Sequence, residues 1–158
     1  MCNTRKHLTD GRFFLNIMAL CLDTIKFVKS CRDQEGFFEE TAILMTVAEH
    51  CCSKFDFDDL SPQLHDLYTQ MSSVLFVYRV LILYEKGSYE SILSLLKNTK
   101  EHPVELDIEQ SQSLASVSFN VGLKNFDAQQ FESALIWLKF AYTYGNYSLH
   151  HYKCYYYY

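Results

Sequence analysis

Residues 115–144, ASVSFNVGLKNFDAQQFESALIWLKFAYTY, contain two successive sets of apolar residues at helical spacing. The first set flanks Gly122 and consists of Phe119, Val121 and Leu123. The second set has the i, i+3, i+4, i+7 spacing of one buried helical stripe and consists of Phe131, Ala134, Leu135, Leu138 and Ala141. We therefore predict two amphipathic helices that are joined by a tight turn at residues 125–127.

Small residues mark the places where these two helices are predicted to touch. A glycine in a helix interior costs about 1 kcal/mol relative to alanine, so Gly122 needs a compensating reason. The close approach of a neighbouring helix supplies that reason. Ala134 and Ala141 lie seven residues apart on the second helix and predict a similar close contact there.

The same segment resembles the tetratricopeptide repeat, a helix-turn-helix unit of about 34 residues. The positions that carry this resemblance are Asn120, Gly122, Phe131, Ala134, Leu135, Leu138 and Ala141. The spacing of the glycine, the aromatic residue and the two alanines follows that family's pattern. The turn departs from it, because Ala128 and Gln129 stand where the family usually has glycine. The family's first-helix tryptophan and its closing proline are also absent.

The first part of the chain contains a weaker copy of this unit. Residues 12–30 predict a helix capped by Thr9 or Asp10, and residues 38–52 predict a second helix after a polar turn at residues 32–36. The predicted buried faces are Phe14, Met18, Cys21, Leu22 and Ile25 on the first helix, and Phe38, Thr41, Ala42, Met45 and Ala48 on the second. The first helix of this pair has no glycine in that stripe, so an unrelated helical hairpin stays open as the alternative.

A long helix is predicted at residues 62–86, because Ser61-Pro62 is a favourable helix start and Gly87-Ser88 a favourable turn. Tyr89 and Leu96 then have the spacing of Phe131 and Leu138, which follow 42 residues later. This period exceeds 34 residues. The surplus falls in residues 100–112, where His102-Pro103 predicts a helix break and residues 105–109 predict the start of an extended helix.

The predicted fold is all-α, a tetratricopeptide-like solenoid of about three helical hairpins over residues 1–146. Residues 147–158 form an atypical tyrosine-rich tail that continues none of the patterns. The composition agrees with a globular chain, because 49% of the 158 residues are hydrophobic and only 21% are charged. The net charge of −5 argues against nucleic acid as a direct partner.

Two apolar segments have some features of a membrane span or an export signal. The apolar residues 13–22 follow a basic N-terminus but are interrupted by Asn16, and no small-residue cleavage site follows. The longest apolar run, residues 74–84, is about half a membrane span and contains Arg79. These features predict an intracellular protein with no membrane partner.

No catalytic or metal-binding motif is found in the sequence. Six cysteines lack the spacing of a zinc site and predict buried reduced thiols. The weaker metal candidates are His50 beside Cys51-Cys52, the pair His150-His151, and the acidic residues Asp56, Asp58 and Asp59. None of them has the further ligands that zinc or calcium requires. We predict a protein without enzymatic activity, metal, cofactor or small-molecule substrate.

Binding through the face of stacked helices is therefore the predicted function, with Asn120 and Lys124 as candidate partner-facing residues. One alternative is a general cytoplasmic adaptor or co-chaperone whose carboxylate clamp holds the C-terminal peptides of heat-shock chaperones. Such a clamp needs several cations on successive first helices. Arg79 is the only cation in the middle of the preceding first helix, so the clamp is incomplete.

A second resemblance rests on residues 119–142, FNVGLKNFDAQQFESALIWLKFAY, preceded by residues 83–96, LYEKGSYESILSLL. These segments resemble the meiotic crossover-promoting scaffold family of testis-expressed protein eleven and the fungal and plant Zip/Spo proteins. The resemblance extends over roughly residues 37–144. It implies a nuclear, chromosome-associated scaffold, a piece of a longer repeat array, with meiotic recombination or synapsis proteins as partners.

Overall fold

The computed structural model describes the backbone of residues 3–31, 37–53, 61–99 and 106–156, with side chains for residues 12–27, 39–51, 53, 61–99 and 106–146. Within those ranges the chain forms six α-helices and no β-strand, which confirms the predicted all-α class. The helices are α1 (Asn3–Cys31), α2 (Phe37–Cys52), α3 (Pro62–Glu85), α4 (Tyr89–Asn98), α5 (Ile108–Asp127) and α6 (Phe131–Tyr156).

Several predicted features lie outside the described residues. They are the polar turn at 32–36, the acidic cluster of Asp56, Asp58 and Asp59, the helix break at His102-Pro103, the side chains of Phe38 and Cys52, and the side chains of the tail from residue 147 onward. The backbone of α6 continues as helix to Tyr156. It therefore runs past residue 146, where the sequence predicted the repeat domain to end.

The chain divides into two compact units, Met1–Arg79 and Val80–Tyr158. In the first unit, α1 packs against α2. The buried side chains are Leu15, Met18, Cys21, Leu22 and Ile25 of α1 and Thr41, Met45, Ala48 and Cys51 of α2. This set includes most of the two predicted faces, whereas Phe14 and Ala42 are only half-buried.

The start of α1 differs from the prediction. The helix begins at Asn3, so Thr9 and Asp10 lie inside it and the prediction that either residue caps it is wrong. Both residue types favour caps, but each costs a helix interior only about 0.7 kcal/mol relative to alanine. That cost is too small to end a helix whose later residues are buried against α2.

The helix α3 begins where the sequence predicts. The carbonyl oxygen of Ser61 accepts hydrogen bonds from the backbone N–H groups of Leu64 and His65, at 2.9 Å each. Arg79 forms an ion pair with Glu49 of α2, at 3.2 Å. Among the described residues, one helix, α3, is long enough and apolar enough to span a membrane, with a mean hydropathy of 1.3. Core helices of soluble proteins have the same length and composition.

The turn after α3 is a Schellman motif, in which the residue beyond the cap adopts a left-handed conformation. Gly87 has φ +67°, as the predicted glycine turn requires. The N–H of Ser88 donates to the carbonyl of Leu83 at 2.9 Å, and α4 starts two residues after the glycine, at Tyr89. Ile92 and Leu96 of α4 are completely buried.

The turn after α5 has the same geometry, 42 residues later. Gln129 has φ +60°, and the N–H of Gln130 donates to the carbonyl of Asn125 at 2.9 Å. The helix extends through Asp127, so the predicted turn at 125–127 lies about three residues too early. Asn125 does not break the helix, because its side-chain amide donates to the carbonyl of Val121 at 2.9 Å.

An aromatic pair brackets each of the two turns. The rings of Tyr84 and Tyr89 lie 6.2 Å apart across the first turn, and those of Phe126 and Phe131 lie 5.5 Å apart across the second. Each residue of the second pair follows its counterpart by 42 positions. The period seen in the sequence therefore coincides with repeated local geometry.

The helices α5 and α6 pack against each other in the second unit. A Cβ atom built at Gly122 would lie 2.9 Å from Cδ2 of Leu138 and 3.4 Å from its backbone nitrogen. The predicted close approach of a helix at Gly122 is therefore confirmed. The buried residues of this pair are Ser111, Leu114, Val117, Ser118, Val121 and Gly122 of α5, and Ala134, Trp137, Phe140 and Tyr144 of α6.

The buried face of α6 is not the one that the sequence predicted. Phe131 and Leu135 are 58% and 54% exposed, so the prediction that they lie in a buried stripe is wrong. Phe119 and Leu123 of α5 are exposed as well. Leu138 and Ala141 are half-buried at the edge. The helix carries apolar residues on most of its circumference, and the large indole of Trp137, 2% exposed, lies at the centre of the face that is buried.

Candidate functional site

Seven large apolar side chains are exposed on α5 and α6, and the six other than Ile136 form what we call the outer face. They are Phe119, Leu123 and Phe126 of α5 and Phe131, Leu135 and Tyr142 of α6, each between 42% and 72% exposed. Their spacing along each helix is i, i+4, i+7 or i, i+4, i+11, which places them on one side of that helix. The ring centroids of Phe126 and Phe131 lie 5.5 Å apart, so this pair connects the part of the outer face on α5 with the part on α6.

An open groove of about 490 Å³ lies at one end of the outer face. Phe119, Leu138 and Tyr142 supply its large walls. Its remaining lining is made of the small residues Ala115, Ser116 and Ala141. Because these side chains are short, the groove between the two helices has room for an apolar group from a partner.

Two exposed charges flank the outer face on α6. Glu132 lies in the first turn of that helix, and Lys139 follows seven residues later. Residues seven apart lie on the same side of a helix, so the carboxylate and the ammonium group border the same edge. A partner on this face therefore meets one negative and one positive group beside the apolar stripe.

Lys124, a predicted partner-facing residue, contacts the aromatic pair at the end of α3 and the start of α4. Its Nζ donates a hydrogen bond to the Tyr89 hydroxyl at 3.0 Å and lies 5.2 Å from the centroid of the Tyr84 ring. The hydrogen bond to the Tyr89 hydroxyl is the main cause that raises the pKa of Lys124. Asn120 is exposed one helical turn before Lys124 on α5.

The other residues that the sequence singled out divide into two groups. Leu96 and Ala134 are buried packing residues, and Tyr89 is half-buried against Lys124. Phe131 and Leu135 lie on the outer face instead. Phe126 and Tyr142 of the outer face were not predicted as site residues, although Phe126 has the same helical phase as Phe119 and Tyr142 the same phase as Phe131.

The described residues offer little for catalysis or metal binding. No group of three or more histidine, cysteine, aspartate or glutamate side chains is arranged there to hold a metal ion. Cys21 and Cys51 are free and buried. Burial raises the pKa of both thiols, and for Cys21 the nearby Cys51 adds to the effect, so the reactive thiolate is disfavoured at neutral pH.

Comparisons with known proteins assign this chain to no family. No protein-family model, curated protein or solved structure matches the chain.

Proposed function

We propose that this chain is a non-enzymatic protein-interaction scaffold that binds a partner protein through the outer face. The observation that carries the proposal is the clustering of six large apolar side chains, each at least 42% exposed, beside an open groove. Contiguous apolar patches on soluble proteins are commonly binding sites, because water contact with them is unfavourable. A partner that covers the outer face removes this cost.

We also propose that the helices belong to a tetratricopeptide-like array of hairpins. The support is the repetition, after 42 residues, of the left-handed turn at Gly87 and Gln129 and of the aromatic pair around it. In arrays of this type each hairpin covers an apolar face of its neighbour.

The partner class in this proposal comes from the resemblance to the meiotic scaffold family. On that resemblance we propose that the protein is nuclear, lies on chromosomes and has recombination or synapsis proteins as partners. The test is affinity capture from meiotic and somatic cell extracts with the unmodified chain and with Leu135→Glu. We expect the unmodified chain to capture recombination or synapsis proteins from the meiotic extract. Leu135→Glu should abolish this capture, because a carboxylate on the outer face must be desolvated on binding.

A matched control is Ser94→Glu, which adds the same charge at an exposed position of α4. This variant should capture the same proteins as the unmodified chain. Equal capture by both variants would exclude the outer face as the binding surface.

The co-chaperone alternative is tested with Asn120→Ala combined with Lys124→Ala. A clamp contact to a charged carboxylate contributes about 1.5–3 kcal/mol, so its loss weakens binding by about tenfold or more. We expect little change, because Lys124 already donates to Tyr89. Capture of heat-shock chaperones that this double variant abolishes would support the adaptor function instead.

A further inference from the structure

The apolar stripe of α6 has the same pattern in both chain directions. It consists of Phe131, Leu135, Leu138 and Tyr142, which are separated by four, three and four residues. Aromatic side chains stand at its two ends and leucines at its two central positions. When the helix is turned end for end, aromatic positions fall on aromatic positions and leucines on leucines.

The charges that flank this stripe are complementary under the same reversal. Glu132 and Lys139 are both exposed, with Glu132 before the middle of the stripe and Lys139 after it, offset from two-fold symmetry by two residues, which is about 3 Å along the helix axis and within reach of the two long side chains. An antiparallel copy of α6 therefore brings the lysine of one helix to the glutamate of the other. The arrangement occurs twice, since a two-fold axis repeats every contact.

We infer that a second copy of this chain binds the outer face, with the two α6 helices packed antiparallel around a two-fold axis. This inference rests on the proposed function, because it names one occupant of the same face. Leu135 of each chain packs against Leu138 of the other, and Phe131 packs against Tyr142. Glu132 and Lys139 form two ion pairs along the edge.

The groove fits this arrangement. Phe131 of the second copy arrives beside Tyr142, at the end of the outer face where the groove of about 490 Å³ lies. Ala115, Ser116 and Ala141 line the floor, and their short side chains leave space for the incoming ring. An aromatic ring in this position also meets Phe119 and Tyr142, and such aromatic contacts are favourable.

The test is the oligomeric state of the purified full chain, measured by sedimentation equilibrium over a concentration series. The unmodified chain should reach twice the mass of one 18.6 kDa chain as its concentration rises. Glu132→Lys and Lys139→Glu should each weaken self-association by about tenfold or more, because each variant places like charges opposite each other at both pairs. Glu109→Lys, which changes an exposed charge in the first turn of α5, should associate like the unmodified chain.

The decisive sample is an equimolar mixture of Glu132→Lys with Lys139→Glu. In the mixed dimer, the side chain introduced by Glu132→Lys faces the one introduced by Lys139→Glu, and the unchanged Lys139 of the first variant faces the unchanged Glu132 of the second. Association should therefore return to the level of the unmodified chain. Circular dichroism establishes that each variant is folded. Two results would overturn the antiparallel arrangement. One is that the folded variants do not associate when they are mixed. The other is that each variant alone self-associates as tightly as the unmodified chain.

The result also separates this inference from the proposed function. A chain that stays monomeric at all concentrations, yet captures recombination proteins in a Leu135-dependent manner, overturns the second copy and leaves the scaffold function in place. A chain that dimerises with the predicted charge dependence supports the inference even when it captures no other protein. In that case the proposed meiotic partners are wrong.

Discussion

Gly122 sets the distance between α5 and α6, because the absence of a side chain lets Leu138 and its backbone approach. A methyl group there would lie 2.9 Å from Cδ2 and 3.0 Å from Cγ of Leu138. These atoms belong to a leucine side chain that can rotate to a limited extent. A single methyl group can therefore be accommodated more easily than a branched side chain.

We expect Gly122→Leu to destabilise the fold by about 1–3 kcal/mol through overpacking. Gly122→Ala should change stability much less, because the gain of about 1 kcal/mol in helix propensity offsets the displacement of Leu138. Denaturant unfolding of the two variants measures the difference. Equal unfolding midpoints for Gly122→Leu and the unmodified chain would show that α6 does not approach Gly122.

The two left-handed turns allow a reciprocal exchange of residues. Gln129→Gly should stabilise the chain by up to about 1 kcal/mol, because glycine adopts a positive φ without steric cost. Gly87→Gln should destabilise it by about 1 kcal/mol, and this cost is one of backbone conformation, since a Cβ at Gly87 meets no atom within 4 Å. Thermal unfolding of both variants gives the signs. Changes of the same sign would contradict the shared turn geometry.

At the scale of the element, the start of α5 is fixed by a capping box. Asp107 accepts a hydrogen bond from the N–H of Gln110 at 2.7 Å, and the Gln110 side chain accepts one from the N–H of Asp107 at 3.1 Å. The sequence predicted a helix start between residues 105 and 109, and the first helical residue is Ile108. Local side-chain chemistry therefore determines this boundary.

Asp107→Ala should cost about 1 kcal/mol of unfolding free energy, because it leaves the N–H of Gln110 without its acceptor. Glu109→Ala is the control, since Glu109 is an exposed first-turn residue whose loss removes only a helix-dipole interaction of about 0.3–1 kcal/mol. Urea titrations of both variants provide the comparison. A larger loss for Glu109→Ala would rule out the capping role of Asp107.

The main difference from the sequence prediction is the orientation of α6 about its own axis, which decides the face of the helix that is buried. Trp137→Ala should destabilise the chain by about 3–5 kcal/mol, because the indole is buried at the centre of the buried face of α6. Leu135→Ala should cost less than about 1 kcal/mol, because Leu135 is mostly exposed. Calorimetric unfolding measures both losses of stability. A larger loss for Leu135→Ala than for Trp137→Ala would support the buried stripe that the sequence predicted.

For the whole molecule, we expect circular dichroism to show helix for more than about half of the residues. The helical spacing of apolar residues extends through most of the sequence, and only two prolines and five glycines are available to interrupt it. Far-ultraviolet spectra of the purified chain measure this fraction directly. A spectrum dominated by strand would contradict both the sequence analysis and the fold.

The sequence by itself determined the all-α class, the start of α3 at Pro62, the turn at Gly87 and the contact at Gly122, because each follows from local spacing or from the chemistry of one residue. Only the tertiary structure decided which side of α6 is buried. Phe131 and Leu135 satisfy the helical spacing as well as Ala134 and Trp137 do, and periodicity does not choose between two apolar sides of one helix. The choice depends on how the indole of Trp137 packs within the second unit, and it leaves the outer face exposed.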